Sequence, residues 1–151
     1  MTELQRLKKL LSDHFDGSPW LDVNIMDTLK DISASKAAGK TGNHNSIWQI
    51  VNHMIAWREA NLKRVKDEVL PAPDNNFIEE IKDTSEEAWK ATLKKLERSQ
   101  HNILSFLESA DDSVLEKIYI PNNLTYYEHL QGILQHDAYH LGQIVLLKKI
   151  T

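Results

Sequence analysis

Three times along this chain a serine or threonine is followed three residues later by glutamate or glutamine, just ahead of a long run with helical apolar spacing. The pairs are Ser46 with Gln49, Thr84 with Glu87, and Thr125 with Glu128. In such a capping box the hydroxyl accepts from a free backbone N–H of the first turn, and the acid or amide reaches back to the cap's own N–H. Each box marks a helix start, and three of them leave little chain for a sheet. The first run extends from Ser46 to about Val69, where Leu70-Pro71-Ala72-Pro73 stops it. The second reaches about Ser109, ahead of Asp111-Asp112, and the third spans Tyr126 to about Lys149. A fourth long helix is visible from spacing alone. Leu4, Leu7, Leu10 and Leu11 recur between Glu3 and Phe15, and Asp16-Gly17-Ser18-Pro19 ends the pattern.

The segments between are short or irregular. Trp20-Leu21 with Ile25, Met26 and Leu29 suggest a short helix packed across one end, and Ser33 to Asn45 reads as a loop with at most one helical turn. Val114 to Ile120 alternates weakly; with no second candidate strand to pair with, it is an extended connection. The fold class is therefore all-α, a four-helix bundle with long connections, in a single domain over residues 1–151. Those connections permit crossovers, so up-down-up-down order does not follow.

Composition narrows the function. The net charge of −4 argues against a nucleic-acid groove, which needs a basic stripe. No apolar run approaches the roughly 18 residues of a membrane span. Met1 to Lys9 carries charge where a secretory leader needs an apolar stretch, so a cytoplasmic location is expected. There is no cysteine and there are seven histidines, so any transition-metal site must rest on imidazole and carboxylate.

Two of those histidines, His136 and His140, stand four residues apart inside the last predicted helix. Their Cβ atoms then lie about 5–6 Å apart on one face, close enough for both rings to reach one ion. His53, on the second long helix, has its own claim to face inward. On a helical wheel the 136/140 pair lies about 100–120° from the centre of the stripe formed by Leu130, Leu134, Leu141, Ile144 and Val145. His53 falls at a similar angle, on the same rotational side, from Ile47, Val51, Met54, Leu62 and Val65. All three sit at the edge of the core, which suits a metal site open to a cleft better than a closed structural one. Taken singly, a histidine at a core edge is ordinarily a hydrogen-bonded packing residue.

His129 shares the side of His136 but lies about 10 Å away along the axis, too far to bind the same ion. His14 closes the first helix, where it would help the helix dipole. His44 and His101 are expected in solvent, and Trp48, Trp57 and Trp89 in core or pocket wall. Gln143 lies on the histidine side of its helix and is the candidate to orient a ligand ring or a bound water. Asp137 points closer to the core stripe. Tyr139 points away from both, as a surface or dimer-contact residue would.

Ser46-Ile47-Trp48-Gln49-Ile50-Val51-Asn52-His53, followed by Trp57, resembles the N-terminal motif of the DinB-like superfamily, which includes the YfiT-type metalloenzymes and the bacillithiol transferases. His136-Asp137-Ala138-Tyr139-His140-Leu141-Gly142-Gln143 resembles its C-terminal motif. The resemblance implies a four-helix bundle holding a divalent metal ion, commonly zinc or nickel, on His53, His136 and His140. It also implies a homodimer acting on a small-molecule substrate, with a low-molecular-weight thiol as co-substrate in the transferase branch. Three neutral imidazoles leave open positions and the full charge of the ion, which favours a bound thiolate or hydroxide. A thiol S-transferase, a metal-dependent hydrolase and a non-catalytic metal-binding stress-response dimer all fit these motifs, and no residue stands out as a general base.

Overall fold

The computed structural model describes residues 1–151. Six helices form: α1 (Glu3–Phe15), α2 (Ile25–Leu29), α3 (Ala34–Ala38), α4 (Ile47–Arg64), α5 (Glu86–Ser109) and α6 (Tyr126–Ile150). A 3₁₀ turn at Asp112–Glu116 leads into two short strands, β1 (Ile118–Tyr119) and β2 (Leu124–Thr125). The all-α class stands. No helix is long and apolar enough to cross a membrane.

Two of the three capping boxes close as the sequence requires. Ser46 Oγ accepts from Gln49 N at 3.2 Å while Gln49 Oε1 accepts from Ser46 N at 3.0 Å, and Thr125 with Glu128 does the same. The Thr84–Glu87 box is not formed. Ser85 is the cap of α5, its hydroxyl accepting from Ala88 N, and Asp83 takes the Ser85 N–H that the box would have satisfied. A box that the sequence reading missed, Thr2 with Gln5, opens α1.

Helix α4 stops at Arg64, not near Val69. Asp67 adopts φ +68°, Glu68 N–H donates back to Lys63 O, and the Arg64 guanidinium folds onto Leu70 O. That is a left-handed helix stop made without glycine, reached before the prolines matter. The expectation that nothing pairs with Val114–Ile120 is also overturned. Ile118 and Tyr119 pair antiparallel with Thr125 and Leu124. The partner is two residues long and merges into the α6 cap, so it carries no alternation to read. Trp20, expected to pack across one end, is 97% exposed, and the short helix there begins at Ile25.

In the bundle, α4 packs against α5 and α6, and α1 packs against the same two helices. The consecutive long helices α1 and α4 are therefore diagonal, and the chain carrying α2 and α3 crosses between them. Two apolar clusters fill the interior. One gathers Trp48, Met54, Trp89, Leu96, Leu141 and Ile144; the other gathers Leu7, Leu62, Ile103, Leu107, Leu130 and Ile133. On every long helix a polar residue separates them: His14 on α1, Arg58 on α4, Ser99 and Gln100 on α5, Asp137 on α6. Arg58 is the hub of this layer. Its guanidinium donates to Asp137 Oδ2, to Gln100 Oε1 and, at 3.0 Å, to Ser99 Oγ. Gln100 passes the connection to Leu11 O on α1 at 3.1 Å.

Candidate metal centre

The layer fixes how α6 is turned. With Asp137 drawn inward to Arg58, its neighbour His136 and, one turn on, His140 are swung toward α4. There they meet His53. His136 Nε2 lies 3.0 Å from His53 Nε2 and 3.1 Å from His140 Nε2. Three nitrogens bound to one ion at about 2.0–2.1 Å stand roughly 3–3.4 Å from one another, so the spacing fits a shared cation. The structure thus brings together the three predicted ligands, and they are the one group of histidines and carboxylates so assembled.

Protons explain why an ion fits better than hydrogen bonds. His53 Nδ1 donates to Asn76 O at 2.6 Å, and His140 Nδ1 donates to Gln143 Oε1 at 2.7 Å. Each ring then turns a bare Nε2 lone pair to the centre. A proton on His136 Nε2 can serve one of those lone pairs at a time, whereas a cation serves all three. Burial lowers the pKa of all three rings, joined at His136 by the mutual proximity of His140 and His53, which takes it down to about 3. At neutral pH the three are uncharged and ready to bind a metal.

The site opens on a cleft of about 640 Å³ between α4 and α6, within the usual range for small-ligand sites. Trp57 stands over His136, with ring centroids 6.4 Å apart, and makes a wall of the cleft as expected. Two further tryptophans are core: Trp48 and Trp89 pack ring to ring at 5.1 Å. Tyr139 is exposed, as anticipated, yet its ring lies 5.0 Å from His140 and lines the rim of the cleft.

Gln143 holds His140 as the wheel suggested. Loss of such an outer partner commonly costs about 10–100-fold in metal affinity, and Gln143→Ala is expected to do so here, measured by competition with a chromophoric chelator. An affinity equal to wild type would mean that the ring needs no support.

Other histidines lie apart. His129 Nδ1 is 3.0 Å from Asn61 Oδ1 and its ring packs against Tyr119. His44 and His101 are exposed. His14 does not serve the helix end in solvent; it is buried beside the polar layer, and burial lowers its pKa. Sequence reasoning missed Asn76, whose main-chain carbonyl sets the His53 tautomer from 23 residues away. Only its left-handed φ of +52°, a conformation asparagine tolerates, hints at a special role.

Residues 23–144 match the family model of the DinB superfamily. That is more than half of the chain, and the chain belongs to this superfamily. Neither curated proteins nor solved structures give a match.

Proposed function

We propose that this member of the DinB superfamily is a metal-dependent thiol S-transferase, with His53, His136 and His140 as the ligands of a divalent ion, zinc or nickel. The observation that carries the reading is the convergence of three Nε2 atoms, those of His53 and His140 bare, on the wall of an open cleft. A non-catalytic structural site would be closed by protein on every side. When bound, the ion supplies a Lewis acid with vacant positions that stabilises the thiolate form of a small thiol.

The chain's own groups do the rest. Asn76 O and Gln143 Oε1 keep the ring protons of His53 and His140 off their Nε2 atoms, and Trp57 with Tyr139 walls the approach. What the cleft lacks favours sulfur over water. Its one carboxylate, Glu128, is engaged by Thr125 at the far end, so beyond the ion itself no side-chain base stands near the histidines to assist a water in hydrolysis. A thiol ionises more readily and needs no such base.

Monochlorobimane tests this directly, offered with bacillithiol, coenzyme A or glutathione. A C–S bond forms, chloride leaves, and the thiol proton goes to the buffer. Bimane fluorescence should grow only with thiol and metal both present, and should vanish after chelation. Turnover of an ester or amide without thiol would overturn the transferase reading in favour of a hydrolase.

A further inference from the structure

Beyond the histidines, the cleft is lined by primary amides whose orientation is set by chemistry. Trp57 Nε1–H donates to Asn76 Oδ1 at 3.0 Å, and Leu124 N–H donates to Asn122 Oδ1 at 3.1 Å. An indole or backbone N–H can only donate, so each amide must turn its oxygen to the protein. The NH₂ groups of Asn76 and Asn122 are thereby left without a protein partner, and neither is buried. Gln143 follows suit, its oxygen taken by His140. The cleft thus offers donors and few free acceptors. Its two charged residues are opposite in sign: Arg64 is held by Leu70 O and lies over the Trp57 and Tyr119 rings, and Glu128 is engaged by Thr125.

The second observation is Gly132. It lies on α6 between His129 and His136, on the same face, and lines the cleft. A Cβ there would meet nothing within 4 Å, so packing does not demand glycine. In a helix interior glycine is unfavourable relative to alanine. Its effect here is to leave the floor open between the two histidines, which are about 10 Å apart along the axis.

We propose that the cleft holds an elongated, acceptor-rich molecule bearing at most one net negative charge, its reactive end at His53, His136 and His140 and its carbonyl-, carboxyl- or hydroxyl-bearing tail over Gly132 against Asn122 and His129. Only the identity of the reactive end rests on the thiol-transferase reading. A polyphosphate tail would find a single cationic side chain in the cleft, Arg64, offset in sign by Glu128.

The test uses the full chain loaded with cobalt(II), whose absorption reports a thiol reaching the ion. Three thiols are titrated: tail-less 2-mercaptoethanol, glutathione with its amides and carboxylates, and multiply charged coenzyme A. Glutathione should bind about tenfold or more tightly than 2-mercaptoethanol, and coenzyme A no better than 2-mercaptoethanol. Gly132→Leu should erase the glutathione advantage while cobalt content and 2-mercaptoethanol affinity stay at wild-type level. Asn122→Ala should remove about fivefold, the worth of one hydrogen bond. Gly132→Ala is the folding control, keeping glutathione affinity while raising Tm by about 2–4 °C. Where thiols do shift the cobalt spectrum, a glutathione advantage absent from the wild type, or surviving Gly132→Leu, overturns the cleft assignment and leaves the transferase reading standing. S-methylglutathione, which has the tail and no free thiol, separates the two further. Saturable calorimetric binding that Gly132→Leu abolishes upholds the cleft assignment even if no thiol shifts the cobalt spectrum; absence of binding overturns it.

Discussion

Replacing His140 with alanine is expected to strip the metal from the protein. Purified wild type should carry close to one divalent ion per chain by elemental analysis, and His140→Ala or His53→Ala should retain only a small fraction of it. The reason is geometric. The Nε2 atoms of His53 and His140 stand 3.0 and 3.1 Å from that of His136, and removing one of the three leaves a two-ligand site with nothing nearby to replace it. The loss should exceed the roughly 10–100-fold that an outer partner such as Gln143 is worth. His101→Ala, an exposed control on α5, should keep its ion. Equal metal content in His140→Ala and His101→Ala would defeat the assignment.

Acidity gives an independent check on the same trio. In the unfolded chain each histidine takes up a proton near pH 6.5, whereas in the fold burial holds all three lower, His136 at about 3. Through that window the unfolded state binds more protons, so the stability of metal-free protein is greatest above pH 6.5 and falls as pH drops below it. Just below pH 6.5 the folded rings carry fewer protons than unfolded ones, so the ion should remain bound on acidification past the pKa of a free imidazole. Release centred at 6.5 would mean that the rings are not sequestered.

The three-histidine cluster was legible in the sequence because helical geometry alone brings His136 and His140 to one face, and because His53 keeps a similar offset from its own apolar stripe. The partners of those histidines were legible only where they are equally local. Gln143, three residues from His140, could be read from the wheel; the carbonyl of Asn76 could not, since a main-chain acceptor on a loop has no residue signature. Helix starts were clearer than helix ends for a similar reason. Ser46 and Thr125 announce themselves with a partner three residues away, while the stop after Arg64 depends on the backbone conformation of Asp67 and on an arginine reaching forward to Leu70. Neighbour order in the bundle is a property of the whole chain. The diagonal placement of α1 and α4 has no local cause, and the wheel, which turned Asp137 inward, could not say that Arg58 would be waiting for it.

That buried pair sets the second large effect. Arg58 and Asp137 are each 1% exposed, and Asp137 Oδ1 has no hydrogen-bond partner. Burial pushes the Asp137 carboxyl up to about 6, even though the guanidinium works against the shift. Attraction between such charges does little more than offset the cost of removing them from water, whereas deleting one partner strands the other and costs about 3–5 kcal/mol. Asp137→Leu should therefore lower Tm by about 10 °C, because a guanidinium cannot discharge itself by losing a proton. Arg58→Met should be milder, since the stranded carboxyl can protonate, and its deficit should shrink as the pH is lowered toward 5. The double variant, with methionine against leucine joining the two apolar clusters into one core, should return to within about 1–2 kcal/mol of wild type in denaturant unfolding of the metal-free protein. A double variant as unstable as the sum of its parts would show that the wider set of bonds to Ser99, Gln100 and Leu11 holds the four helices together, and that apolar packing across the layer cannot take its place.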